Sequence, residues 1–262
     1  MTRTRTSYGN VNYRTYGNEP AGLVALHGFT QHGGSFEELA GYLDVGVLAV
    51  DLPGHGATDV QPVTFEVAVE TVGSVAESLP PKPALLGYSQ GGRIALALAL
   101  ARPELFDRLV LVSASAGIED PTDAAHRRRA DAEVANRIEE LGVAGFLNEW
   151  LAKDLFSGLA ARAPSRQAAD LEARLENSIS GLAAALRGMG QGAQPYVGGR
   201  LPELELPALF IAGGRDTRYR ELAVHMASRT PDGRAEIVES AGHNVIGEQP
   251  ERVAVLVDAF VG

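Results

Sequence analysis

Cysteine is absent from this 262-residue chain. That absence excludes disulfides, thiolate metal sites and cysteine nucleophiles together. Lysine is nearly absent as well: Lys82 and Lys153 stand alone against 21 arginines. No long apolar run occurs. The longest aliphatic stretch, residues 94–101, falls far short of the roughly 20 residues that a membrane-spanning helix needs. Positive charge is in deficit, and the net charge of −10 argues against non-specific nucleic-acid binding, which needs a basic surface. The N-terminal stretch MTRTRTSYGNVNYR is basic but has no apolar run behind it, so it does not read as a secretory signal. The expectation is a soluble, cytoplasmic protein.

What is present is enough for a large core. Hydrophobic residues make up 45% of the chain and charged residues 21%, with 30 Gly and 14 Pro, outside the disordered and fibrous classes. Short apolar runs at 23–26, 45–50, 84–87 and 109–112 read as buried parallel strands. Between them, 36–43, 64–79 and 91–101 carry helical spacing. This alternation predicts an α/β fold with a doubly wound, mostly parallel sheet. The rhythm stops near Gly117. Residues 118–200 are almost wholly helical in pattern, with helices expected at 123–140, 143–157, 164–178 and 180–188, broken at Gly142, Pro164 and the glycines after Arg187. Strands resume at 208–212 and 235–238, and a helix at 250–260 closes the chain. The expected division is therefore a core of 1–117 and 201–262 carrying a helical cap of 118–200.

The sharpest local signal is Gly87-Tyr88-Ser89-Gln90-Gly91-Gly92, which follows an apolar strand and opens a helix. That is the context of a G-x-S-x-G nucleophile elbow, a strained turn that needs small residues on either side of the serine. A lone serine is a poor nucleophile and a poor base, so it needs a histidine oriented by a carboxylate. Asp216 in Gly213-Gly214-Arg215-Asp216 and His243 in Ala241-Gly242-His243-Asn244 each follow a predicted strand, where open α/β sheets place their sites. The order Ser89, Asp216, His243 is that of the α/β-hydrolase fold. Leu26-His27-Gly28-Phe29 occupies the loop that supplies one oxyanion-hole N–H, so the Phe29 and Gln90 amides are the expected donors. His27 reads as structural, and so does the tight loop Asp51-Leu52-Pro53-Gly54-His55-Gly56.

Arg93 falls four residues after Ser89, in the first helical turn. A cation there opposes the positive end of the helix dipole at about 0.3–1 kcal/mol. Helical side chains lean toward the N-terminus, which brings the guanidinium over the predicted pocket, where a bound anion would justify it. A surface ion pair is the plainer alternative. The cap adds Arg127, Arg128, Arg129, Arg137, Arg162, Arg166, Arg174 and Arg187. Consecutive arginines on a helix stand about 100° apart, so at most two of the triple can face one cleft. Arg127 with Asp131, and Arg129 with Glu133, also have i,i+4 spacing. Phe146 and Trp150 share a helical face, as cap packing or as an aromatic wall. The six histidines show no metal-ligand spacing, and no metal or other cofactor is expected.

Together these residues resemble a specific family. The elbow 87–93, with its arginine, and the cap segment Leu186-Arg187-Gly188-Met189-Gly190-Gln191-Gly192-Ala193-Gln194-Pro195 are similar to those of 2-succinyl-6-hydroxy-2,4-cyclohexadiene-1-carboxylate synthases. These are α/β-hydrolase-fold lyases of menaquinone biosynthesis. The resemblance implies a pyruvate elimination from a substrate bearing three carboxylates. It makes Ser89 the base, with His243 and Asp216 behind it, and implies that Arg93, Arg127 and Arg174 bind the carboxylates while Tyr88 and Trp150 line the pocket. Arg128 remains an alternative to Arg127. Where the family often has Leu after the serine, this chain has Gln90, which keeps the N–H. The partners implied are a small-molecule tricarboxylate and at most further copies of the chain, a monomer or small homo-oligomer.

Two other classes remain open. A serine esterase or C–C bond hydrolase would use the same triad through an acyl-enzyme. An apolar acyl pocket beside an unpaired guanidinium would be costly, so Arg93 discriminates between the two chemistries. A haloalkane dehalogenase is excluded because its elbow needs Asp where this chain has Ser89. A ligand receptor on the same fold would keep its affinity in Ser89→Ala, whereas an enzyme would lose turnover.

Overall fold

The computed structural model describes residues 2–79 and 82–262. An N-terminal hairpin, β1 (Thr2–Thr6) and β2 (Gly9–Tyr16), precedes β3 (Leu23–Leu26), α1 (Glu37–Ala40), β4 (Val47–Val50), β5 (Asp59–Val60) and α2 (Phe65–Ala76). Then come β6 (Ala84–Tyr88), α3 (Gln90–Ala101) and β7 (Leu109–Val112). Three helices follow without a strand: α4 (Pro121–Leu151), α5 (Pro164–Leu175) and α6 (Ile179–Met189). The chain ends through β8 (Ala208–Gly213), α7 (Thr217–Arg229), β9 (Gly233–Val238), α8 (Val245–Glu248) and α9 (Pro250–Val261).

The strands form one sheet in the order β1-β2-β4-β3-β6-β7-β8-β9, with β5 pairing β2. From β4 to β9 every neighbouring pair is parallel, and β1, β2 and β5 are antiparallel additions at one edge. The central strands are buried along their whole length because helices cover both faces. Strand alternation sorts their side chains. Val24, Leu26 and Leu85 join a core shared with Val72 of α2 and Leu98 of α3. Leu23, Ala25 and Leu86 join the opposite core, with Leu39 of α1 and Val253 and Val257 of α9. The chain runs from β3 to β4 on one side and then crosses to β6 on the other. This reversal opens a crevice beyond the carboxyl ends of β3 and β6, the usual ligand position in such sheets.

The helical insertion between β7 and β8 has its own small apolar cluster, in which Ile138 and Phe146 of α4 meet Leu182 and Leu186 of α6. The helices expected at 123–140 and 143–157 are the two halves of α4, broken as expected at Gly142, whose φ of 69° and ψ of 172° leave the helical path. Other sequence expectations shift. The second half stops at Leu151, because the chain turns extended at Lys153 and tightens into a 3₁₀ segment over Asp154–Ala161. The helix expected at 36–43 is a 3₁₀ turn, Gly33–Phe36, followed by the single turn α1. The strand expected at 45–50 begins at Val47. The hairpin β1–β2 was not anticipated, since its exposed faces carry Thr, Arg and Asn in place of an apolar run, and neither was β5, which is only the two residues Asp59 and Val60. Among the described residues no helix is long and apolar enough to cross a membrane.

Candidate active site

Strand β6 enters α3 through Ser89, held at φ 50° and ψ −107°, a conformation that L-residues rarely adopt. The turn survives because nothing around it has bulk. A Cβ on Gly91 would lie 2.2 Å from the Leu26 carbonyl oxygen, and one on Gly87 would lie 2.5 Å from the Gly92 Cα. The Ser89 N–H is anchored on the Val112 carbonyl at 2.9 Å. The hydroxyl thus stands clear at the N-terminus of α3, with Ser89 Oγ 3.0 Å from His243 Nε2.

His243 Nδ1 lies 2.7 Å from Asp216 Oδ2. Asp216 caps α7, its Oδ1 accepting from the Tyr219 N–H at 3.2 Å, so the helix fixes the carboxylate. The loop of His243 is tied on both sides. Its carbonyl accepts the Ser113 hydroxyl at 2.8 Å, and the preceding Gly242 N–H donates to Glu248 Oε2 at 2.8 Å. With Nδ1–H donated to Asp216, Nε2 is free to take the Ser89 proton. Ser89, Asp216 and His243, each read from a separate strand end, therefore form one hydrogen-bonded chain beyond β6, β8 and β9.

Among the described residues, neither the Phe29 nor the Gln90 backbone N–H has a hydrogen-bond partner, whereas the next amide, Gly91 N–H, donates to the His27 carbonyl at 3.0 Å. His27 is structural. Its Nε2 accepts the Leu52 N–H at 3.0 Å and its Nδ1–H donates to the Gly28 carbonyl at 2.8 Å. Complete burial holds its pKa well below the ordinary histidine value, so it stays neutral. Asp51 is equally committed: it accepts from Gly33 N–H, Asn12 Nδ2, Ala57 N–H and the Arg14 guanidinium. That fixes the loop after β4 as scaffold.

The arginines separate into kinds. A cavity of about 90 Å³ over Ser89 and His243 is bordered by Arg93, Arg127, Arg174, Tyr88, Trp150, Phe29 and Gln90. Arg93 is 6% exposed, and among the described residues it makes no ion pair and its guanidinium donates to no partner; Nη1 is fully enclosed. Burial pushes its pKa down to about 10, which leaves it charged at neutral pH. Arg127 bonds Asp131 through Nε at 2.7 Å and reaches Gln191 Oε1 through Nη1. Arg128 turns away, its Nε donating to the Gly192 carbonyl at 3.1 Å, and it does not border the cavity. Arg174, 1% exposed, is held by Asp170 at 2.7 Å and by the Thr30 hydroxyl. Two of the three cavity arginines are thus already met by acids. Arg93 alone is not.

Comparison with known proteins decides the family. The α/β hydrolase family profile matches residues 23–256. A Bacillus subtilis (strain 168) protein, provisionally named 2-succinyl-6-hydroxy-2,4-cyclohexadiene-1-carboxylate synthase, is 34% identical over 93% of this chain and 91% of its own. This chain belongs to that synthase family of α/β hydrolases. A Salmonella arizonae relative carrying the same name is 30% identical over 88% of this chain and 90% of its own. Among solved structures, MenH from S. aureus superposes with a TM-score of 0.88 at 26% identity, covering 98% of both chains. A thermophilic esterase from Thermogutta terrifontis superposes at 0.85 with 24% identity over 100% of this chain and 98% of its own, a likeness of fold alone.

The cap segment 186–195 has a packing reason here. A Cβ on Gly192 would meet the Arg128 backbone nitrogen at 2.2 Å, and one on Gly190 would meet Asp131 Oδ2 at 2.5 Å, so this turn lies directly on α4. The buried Asp131 holds both sides, accepting Arg127 Nε at one oxygen and Gly192 N–H at the other, 2.9 Å away. Tyr88 is buried with its ring 5.7 Å from that of His243. Trp150 stacks on Phe146 at 5.5 Å and meets Phe29 edge-on at 5.5 Å, while its indole N–H has no partner among the described residues. Sequence reasoning missed Tyr219 and Phe156, which also border the cavity, and gave Gln191 no role. Tyr219 follows Asp216 by one helical turn, a spacing that could have placed it beside the carboxylate.

Proposed function

We propose that this chain is a cytoplasmic lyase that eliminates pyruvate from 2-succinyl-5-enolpyruvyl-6-hydroxy-3-cyclohexene-1-carboxylate, giving 2-succinyl-6-hydroxy-2,4-cyclohexadiene-1-carboxylate. The observation that carries this reading is the Arg93 guanidinium, buried beside Ser89 without an acid. Burying a cation unpaired is costly, and an anionic substrate supplies the missing charge. Relatives that bear this synthase name support the same reading.

In the proposed reaction His243 takes the Ser89 proton, Asp216 stabilises the imidazolium, and Ser89 Oγ removes a ring proton. The C2–H electrons form the C2=C3 bond, the former C3=C4 pair moves to C4=C5, and the C5–O bond to the enolpyruvyl group breaks. The leaving enolate of pyruvate takes the proton of the His243 imidazolium, while Ser89 keeps the ring proton. The Phe29 and Gln90 amides hold the developing enolate oxygen of the succinyl carbonyl. Arg93, Arg127 and Arg174 receive carboxylates, Arg93 with its full donor set and the other two with the donors their acids leave free. Tyr88 and Trp150 wall the ring.

The test is pyruvate release by purified protein, beside Ser89→Ala and a reaction without enzyme. Fast release that disappears in Ser89→Ala is expected. Release no faster than the uncatalysed control overturns the reading. The triad geometry also favours a second one, an esterase or C–C bond hydrolase, which a trapped acyl group on Ser89 would reveal.

A further inference from the structure

Gln191 lies in the turn after α6 and touches two groups that border the cavity. Its Oε1 accepts from Arg127 Nη1, and its Nε2 donates to Tyr219 Oη at 2.5 Å. The orientation of this amide is forced. A guanidinium only donates, so the amide oxygen must face Arg127 and the NH₂ must face the phenol. The phenol oxygen is therefore an acceptor toward Gln191, and its single proton must point elsewhere. Among the described residues that proton has no acceptor. Tyr219 is 7% exposed, and its ring stands edge-on to His243 at 4.5 Å, so the free direction is the cavity.

The Arg93 guanidinium borders the same cavity. A phenol proton and a guanidinium, both lacking acceptors, thus face one enclosed space. Two unmet donors with no acceptor between them fit an anionic oxygen.

We propose that Tyr219 is a specificity-determining residue, its hydroxyl donating to the substrate carboxylate bound by Arg93, and that Gln191 sets the direction of that hydroxyl. The first half rests on the lyase reading for the identity of the carboxylate. The second half makes Gln191 a positioning residue whose polarity is dictated by Arg127. Replacing the amide by a carboxylate would still satisfy Arg127 but would accept the phenol proton and draw it out of the cavity.

The experiment compares wild type, Tyr219→Phe, Gln191→Glu and the double variant. Pyruvate release gives kcat and KM separately, and calorimetry measures affinity for propane-1,2,3-tricarboxylate as a simple probe. Tyr219→Phe keeps the ring against His243 and removes only the hydroxyl. Each single variant is expected to raise KM about tenfold with kcat within about twofold, the signature of lost uniform binding. The double variant is expected to match the singles, because both remove the same donor. A fully additive double variant, or a Gln191→Glu enzyme with wild-type KM, overturns the proposal. If wild type releases no pyruvate, the lyase reading fails, and calorimetry still decides the hydroxyl. A tenfold loss of probe affinity in both singles upholds it. Unchanged affinity, or no binding at all, overturns it.

Discussion

The backbone N–H of Arg93 donates to the carbonyl of Ser89 at 3.1 Å, one turn into α3. A buried guanidinium without an acid is thereby fixed to the residue at the head of the triad. The charge opposes the helix dipole and its own desolvation, so in the free protein Arg93 works against stability.

Arg93→Met is therefore expected to stabilise the free protein by about 1–3 kcal/mol in denaturant unfolding while lowering kcat/KM at least tenfold. The opposite sign in unfolding, with activity retained, would show that the guanidinium serves packing and has no anion to bind.

Adjacent arginines on α4 should part company. Arg127 borders the cavity and Arg128 reaches back to the Gly192 carbonyl. Arg127→Ala is expected to raise KM roughly tenfold, the value of a charge-assisted hydrogen bond. Arg128→Ala should change KM less than about twofold and show its effect in thermal stability. Equal KM effects in steady-state kinetics would contradict this division.

Acid sensitivity has an identifiable origin. His55 is 1% exposed, donates through Nδ1 to the Pro53 carbonyl at 3.1 Å and, among the described residues, leaves Nε2 without a partner. Burial pushes its pKa down to about 4 from the ordinary 6.5. The unfolded chain binds a proton at His55 near pH 6.5, and the folded chain binds it only near pH 4. Stability is thus fully present above about pH 6.5 and falls as pH drops to 4, by roughly 3 kcal/mol from this residue. His27, shifted the same way, adds to the loss. Urea midpoints between pH 7 and 4 should show the decline, and His55→Gln should flatten it. A slope identical in the variant would assign the acid loss elsewhere.

The sheet's centre was legible because β3, β6 and β7 are buried on both faces and read as unbroken apolar runs. The hairpin was not, because Thr2–Thr6 sits at the sheet edge and needs no apolar face; the only clue was its strict Thr/Arg alternation. Ser89, Asp216 and His243 stood out because each follows a strand within a motif. Gln191 carried no such signal. Its role arises from meeting Arg127, 64 positions earlier, and Tyr219, 28 positions later, which only the folded chain reveals. Which arginine of the triple faces inward was likewise a matter of helix phase, settled by where Gly192 presses on α4.

The ring of Phe29 touches Trp150 at 5.5 Å and Phe146 at 6.3 Å across the boundary between sheet and helices, and His55 at 5.8 Å behind it. The loop leaving β3 is thus wedged between two scaffolds, and its backbone is set by both. Modularity fails at this seam. A helical insertion grafted from another hydrolase would bring foreign aromatics onto Phe29 and tilt its amide with them. Redesigning the lid of this protein therefore means redesigning residues 27–30 in the same step.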